Sequence, residues 1–473
     1  MFLENLAATG LNFTDLQFIF RFLPLYLLLY YLFPGKIRSW ITVIFSLVFY
    51  AVNAKEYTAV LLLVLILNFA FSFGIAKKKK GILILSFITD AGFLMSFKIL
   101  SVLGLTVSLP ADYNLRILLP LGISFYTFKI ISYQVDLYRG KYERASLGDF
   151  LAYTADFSQI ISGPIGRYDL WKKDHDHLIS IKKFKNKVTF AMNAVCDGLT
   201  FFIAGLFIKI ILANHLAILW NSIGTIGYDS ISTPLAWIGV VVYSLNLFYD
   251  FWGYSLIAAG IGVMTGHSFI RNFKDPYGAL SVSDFYRRWH ITLGNWFKDY
   301  IYFPMGGSRC SKINTARNLI IVWVLTGIWH GITLNYLLWA GILLLLILSE
   351  KFVLSHNKVV LRIFGQLHVL VLIPLTWIIF ALDKPMDLYH YFARLFGVML
   401  PTTVINAKDF LTTLQDGWFY LLISIVCLIP GIRDSFYHDR HSVFWTVLLF
   451  ILFWFCIYSS SGSDLNPFMY MSF

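Results

Sequence analysis

Two histidines carry the chemistry this sequence could do. His330 stands in Thr326-Gly-Ile-Trp-His330-Gly331, inside the apolar stretch 318–349. An ionisable ring at membrane depth is costly and is by default a functional candidate. A neutral imidazole hydrogen-bonded between helices is the plain alternative, and on residue type alone the two readings are even. Glycines at 327 and 331 allow close approach of backbone or substrate. A neutral imidazole is also a fitting general base near pH 7.

His290 lies in the run from Ser283 to Arg309, Ser283-Asp-Phe-Tyr-Arg-Arg-Trp-His290-Ile-Thr-Leu-Gly-Asn-Trp-Phe-Lys-Asp-Tyr-Ile-Tyr-Phe-Pro-Met-Gly-Gly-Ser-Arg309. The run is too basic to cross a membrane and too aromatic to be a free loop. Arg287, Arg288, Lys298 and Arg309 could bind an anionic, phosphate-bearing donor. The plain alternative, favoured by composition alone, is that they snorkel at an interface beside Trp289 and Trp296.

Other motifs are weaker. Gly260-Ile-Gly262-Val-Met-Thr-Gly266 has the wrong spacing for a dinucleotide loop and lies in an apolar run, so helix packing through small residues explains it better. Asp174-His175-Asp176-His177 has metal-ligand residue types but sits among lysines with no further Cys or His nearby; a solvated loop is expected there, and no metal site. Cys310 is the one cysteine near the histidine motif, which makes an acyl-enzyme route through a thiol an unfavoured alternative.

The elements that must position these groups are membrane helices. The 473 residues are 58% hydrophobic and only 14% charged, with a net charge of +12. Soluble domains carry about 25% charged residues. Uncharged stretches near the ~20 residues of a membrane-crossing helix recur along the chain. The four cysteines are scattered, which excludes a disulfide scaffold. Lys and Arg cluster between apolar runs rather than in a basic stripe, so no nucleic-acid partner is expected.

Apolar runs fall near 16–34, 37–53, 57–76, 82–105, 115–137, 188–212, 234–266, 318–349 (as two halves), 363–381, 416–432 and 443–458. These predict roughly eleven or twelve crossings. The stretch 150–165 is short and ends in Gly163-Pro164, which reads as re-entrant or interfacial, and 382–415 as an amphipathic segment outside. Neither a positive n-region nor a cleavage site marks the first run as a signal peptide. Basic loops (Lys36/Arg38, Lys77 to Lys80, Arg139 to Arg144) alternate with non-basic ones, which places the N-terminus outside. The fold class expected is an all-α polytopic membrane protein, forming one domain over 1–473.

Taken together, Phe285 to Arg309, Trp329-His330-Gly331, Gln159-Ile-Ile-Ser-Gly-Pro-Ile-Gly-Arg167-Tyr168 and Tyr249-Asp-Phe-Trp-Gly-Tyr254-Ser255 strongly resemble the membrane-bound O-acyltransferase (MBOAT) superfamily. Within it they are similar to the bacterial alginate O-acetyltransferase (AlgI) branch. The likeness spans most of 120–345. The branch that transfers D-alanine to teichoic acids (DltB) is the rival, but it lacks the Pro304-to-Arg309 ending. Two positions depart from the usual pattern: Trp252 replaces a serine, Leu256 an acid. The C-terminal Pro467 to Phe473 matches the usual aromatic ending only in part.

The resemblance implies a helical body with a thin centre, where a cytoplasmic tunnel meets an external funnel. By position, His330 is the reactive histidine and His290 the second essential one. The donor-side set is Arg287, Arg288, Trp289, Lys298, Asp299, Arg309, Trp329 and Asp250, with His290 and the arginines orienting the donor or polarising its carbonyl. The expected donor is acetyl-CoA or another acyl thioester, with no bound cofactor. The expected setting is membrane lipid of a bacterial cytoplasmic (inner) membrane. An extracytoplasmic or membrane-anchored acetyltransferase partner and a polysaccharide acceptor such as alginate complete the picture. A transporter or flippase for a polysaccharide precursor, or a non-catalytic scaffold, are alternatives of another class; both leave the paired histidine motifs unexplained.

Overall fold

A computed structural model describes residues 10–104, 106–109, 113–116, 118–181, 183–399 and 404–461. The helices in chain order are α1 (Phe18–Leu32), α2 (Gly35–Asn53), α3 (Thr58–Ala76), α4 (Lys80–Val102), α5 (Ile123–Arg139), α6 (Leu147–Ala155), α7 (Phe157–Ile160), α8 (Tyr168–Ser180), α9 (Phe184–Ile226) and α10 (Thr233–Met264). They continue with α11 (Val282–Arg288), α12 (Ile291–Phe297), α13 (Lys312–His330), α14 (Leu334–Phe352), α15 (Val359–Ala381), α16 (Pro385–Leu395), α17 (Asp409–Cys427), α18 (Pro430–Asp439) and α19 (Val443–Ser461). A two-stranded antiparallel hairpin, β1 (Thr106–Leu109) with β2 (Tyr113–Arg116), interrupts this pattern.

Every apolar run read from the sequence contains a helix. Eight helices are long and apolar enough to cross a membrane by length and composition, namely α3, α4, α9, α10, α14, α15, α17 and α19, and α1 and the Ile37–Asn53 part of α2 are shorter apolar ones. The chain is therefore an all-α polytopic membrane protein. The count falls below eleven or twelve because α1 and α2 are short and two further helices are too polar. α5 carries buried Lys129, Gln134 and Asp136, and α13 opens on Lys312 and Arg317.

α10 is the axis of the bundle and is buried along almost its whole length. α9 approaches it through glycines. A Cβ on Gly205 would stand 2.7 Å from the Gly253 carbonyl oxygen, and one on Gly198 2.5 Å from that of Gly260. That contact is the packing role expected for the 260–266 glycines at Gly260, whereas Gly262 faces open space. A π-helical turn at Phe207–Ala213 breaks the regular spacing of α9 and carries buried Lys209 onto buried Asp250 of α10.

The Gly163-Pro164 stretch is two short helices, α6 and α7, capped by Ser146 and Asp156 and buried against α2 and α5. The 174–177 stretch corrects the sequence reading. It is not a solvated loop but part of helix α8, with His175 buried, stacked on Trp171 at 4.8 Å and 3.6 Å from an Asp149 carboxylate oxygen. Burial pushes the His175 imidazole down to about 4 despite that carboxylate. Among the described residues, no group of three or more His, Cys, Asp or Glu side chains is placed to hold a metal ion. The C-terminal aromatic segment lies outside the described residues.

Candidate functional site

α13 begins at Ser311, whose hydroxyl accepts from the Asn314 amide, and ends at His330. Gly331 follows because nothing larger fits: a Cβ there would lie 2.3 Å from the Tyr336 ring. The chain then turns into α14, which packs back along α13 with Gly327 against Ala340. His330 is thereby boxed by aromatic rings, with centroids at 4.5 Å from Trp329, 4.9 Å from Trp339 and 5.2 Å from Phe380.

His290 is held differently. It is the residue before α12 and adopts a left-handed backbone, φ +45°, a conformation that costs a non-glycine residue about 1–2 kcal/mol. Backbone hydrogen bonds from Ile291 to Asn272 (2.9 Å) and from Lys274 to Arg288 (2.9 Å) pin this kink against the segment after α10. Its ring is buried edge-on to Phe251 at 4.6 Å. Trp329 lies between the two histidines, 6.5 Å from His290 and 4.5 Å from His330.

Both histidines border one cavity of about 380 Å³, open at the end where Arg287, Lys298, Tyr302 and Ser308 stand, and walled by rings including Trp289, Trp323, Trp339 and Trp377. The cavity follows α13 from Leu319 to His330, eleven residues or about 16 Å at a helical rise. His330 also borders a second, small pocket of about 30 Å³ with Lys98, Gly122, Phe125, Ile161 and Trp329. The helix bearing the cavity-mouth arginine is fixed from α14. The Glu350 carboxylate accepts from the Val282 (2.8 Å) and Ser283 (3.3 Å) amides, occupying the free N–H groups at the start of α11, and from His368 Nδ1.

The structure thus gathers His290, His330, Arg287, Trp289 and Lys298 around the cavity and places Trp329 at the small pocket. It leaves the rest of the expected set outside both. Arg288 pairs with Asp284 at 2.8 Å. Asp299 pairs with Arg167 at 3.1 Å, tying the Gly-Pro element to the turn that carries Lys298. Arg309 is exposed, and Asp250 sits on Lys209. Cys310 borders neither space; its Sγ lies 3.3 Å from the Gly307 carbonyl oxygen.

Three groups at the site went unread in the sequence. Lys98 is a lone lysine in an apolar run, the same signal that marked His330. Asn272 and Trp339 have no motif of their own; one is found only through its bond to His290, the other only through packing.

Residues 60–360 match the membrane-bound O-acyltransferase family. The chain is 32% identical to a probable alginate O-acetylase AlgI of Pseudomonas syringae pv. tomato, over 90% of this chain and 83% of that one. It is 30% identical to a peptidoglycan O-acetyltransferase of Helicobacter pylori, over 85% and 83%. It is 28% identical to a teichoic acid D-alanyltransferase of Streptococcus thermophilus, over 46% and 53%.

Proposed function

We propose how this chain, which belongs to the membrane-bound O-acyltransferase family, does its work: it takes an acetyl group from a cytoplasmic acyl thioester such as acetyl-CoA and delivers it to a glycan hydroxyl on the far side of the membrane. The single observation that carries this reading is that His330 borders both the large cavity and the small pocket beyond it. A group reachable from two sides lets an acyl unit cross while its large anionic carrier stays behind.

In the reaction, His330 takes the proton of the acceptor hydroxyl. The hydroxyl oxygen attacks the thioester carbonyl, the carbon–sulfur bond breaks, and the thiolate takes up the proton from His330 to leave as thiol. Arg287 and Lys298 at the cavity mouth attract the carrier's phosphates, and Trp289 and Trp339 wall the path of its apolar arm. His290 acts on the donor side of His330. The body lies in a bacterial cytoplasmic membrane, with the basic loops inside and the N-terminus outside.

An extracellular polysaccharide is the favoured acceptor. The relatives named for alginate and for peptidoglycan align over most of the chain, the one named for D-alanyl transfer over less than half. The hydroxyl that reacts at His330 belongs to an extracytoplasmic or membrane-anchored acetyltransferase, which then places the acyl group on the polymer.

The test uses purified protein in liposomes with radiolabelled acetyl-CoA outside and reads thiol release. Wild type should release thiol, and His330→Ala should release it ~10²–10⁴-fold more slowly, the contribution of a positioned base. Equal rates in the two proteins would sink the mechanism.

A further inference from the structure

His290 and Asn272 meet in a way that fixes where a proton sits. The Asn272 side-chain oxygen lies 3.2 Å from His290 Nδ1. The same oxygen accepts from the Thr292 amide at 3.2 Å and from the Thr292 hydroxyl at 2.9 Å. A backbone amide can only donate, so the atom facing it must be the amide oxygen of Asn272 and not its nitrogen. That oxygen has no proton to give. The contact with His290 is therefore a bond in which Nδ1–H donates.

A neutral imidazole has one protonated nitrogen. With the proton on Nδ1, Nε2 is a bare acceptor, and this buried Nε2 has no hydrogen-bond partner among the described residues. The ring is buried in the cavity wall, and desolvation disfavours the charged imidazolium. A buried acceptor with no partner, on a residue that lines a cavity, is a group that the donor of a bound ligand can satisfy.

We infer that Asn272 is a positioning residue that holds His290 as the Nδ1–H tautomer, so that Nε2 accepts a hydrogen bond from the acyl donor. This rests on the acyltransfer reading above and sharpens it. In this state His290 cannot donate to the thioester carbonyl; it orients the donor by gripping an N–H, as the amide of a pantetheine-type arm would offer. The substrate class that fits is a thioester whose arm carries an amide N–H. The left-handed backbone at His290 and the two backbone bonds to the 272–274 segment hold the ring in register with Asn272.

The test is nitrogen NMR on full-length protein labelled with ¹⁵N-histidine and reconstituted in lipid, at neutral pH. His290 signals are identified as those missing from His290→Gln. The expected result is a protonated Nδ1 and a bare Nε2 in wild type, and a mixture of both tautomers in Asn272→Ala with a fall in acyl transfer of about tenfold or more. Asn272→Asp keeps the accepting oxygen, so the single Nδ1–H tautomer should persist. Its added negative charge favours imidazolium and should move the acid limb of the pH–rate profile to higher pH, which a merely structural residue would not do. A protonated Nε2 in wild type overturns the inference, as does an unchanged acid limb in Asn272→Asp. The spectrum does not depend on turnover. A correct tautomer with His330→Ala fully active would topple the mechanism and leave Asn272's role standing, while the reverse pair of results would do the opposite.

Discussion

The two spaces that meet at His330 differ more than tenfold in volume, about 380 Å³ against about 30 Å³. The larger is walled by rings and has cations at its mouth. The smaller is built from Lys98, the turn Leu119–Gly122 and the first residues of α5. The smaller space has room for water-sized groups and little more. If the two substrates meet at His330, the difference implies that they are recognised by different means. On the proposed reading the donor enters the larger space, where burial and charge would hold it. On the same reading the acceptor brings its reacting hydroxyl to the small pocket while the rest of it is positioned from outside, a task that suits a second protein on that face.

The contrast breaks most readily at the floor of the small pocket. Gly122 has φ +69°, and a Cβ there would stand 2.1 Å from the Ile160 carbonyl oxygen of α7. Backbone on both sides leaves nothing flexible to yield. Gly122→Ala should move the turn by a fraction of an ångström to an ångström and cut acyl transfer by roughly two orders of magnitude, as misplacement of that size does. Equilibrium binding of the thioester, read by titration, should stay near the wild-type value. Equal loss of both would show that the two spaces are not independent.

That turn marks where the sequence stopped being legible. The helical runs were readable because apolar length is a local property, and His330 because a titratable group inside such a run is locally improbable. Lys98 carried the same signal but lacked a motif beside it. Asn272 was not readable at all, since its meaning lies in a contact across 18 residues with His290. The basic residues of the 283–309 run looked alike in sequence, and only folding separated them. The α11 turn puts Arg287 at the cavity, 3.7 Å from one Asp284 oxygen, and Arg288 away from it, 2.8 Å from the other, while Arg309 ends outside. The hairpin at 106–116 was missed because Thr106-Val-Ser-Leu109 alternates over too few residues to stand out.

This sorting of the basic residues gives the next test of the large cavity. Arg287→Ala and Lys298→Ala should each raise the KM for the thioester about three- to tenfold with kcat nearly unchanged, since a charged contact made equally in ground and transition states is lost. The effect should shrink with added salt because Arg287 is well exposed. Arg288→Ala and Arg309→Ala should alter that KM by less than about twofold. Four equal effects would mean that these residues act as a diffuse basic surface and that the cavity mouth has no special role.

An effect of similar size belongs to the other side. Lys98 is 5% exposed and borders the small pocket with His330. On the proposed mechanism negative charge builds on the acceptor oxygen as its proton leaves, and an ammonium bordering the same pocket would steady it. Lys98→Met keeps the length and apolar stem and removes only the charge. Acyl transfer should fall about threefold to tenfold, less than a dedicated oxyanion donor contributes, because the box of rings around His330 remains. The fall should appear in kcat and in the response to acceptor concentration, with the donor KM unmoved. A shift in the donor KM instead would place Lys98 in the donor's field and merge the two spaces that the geometry keeps apart.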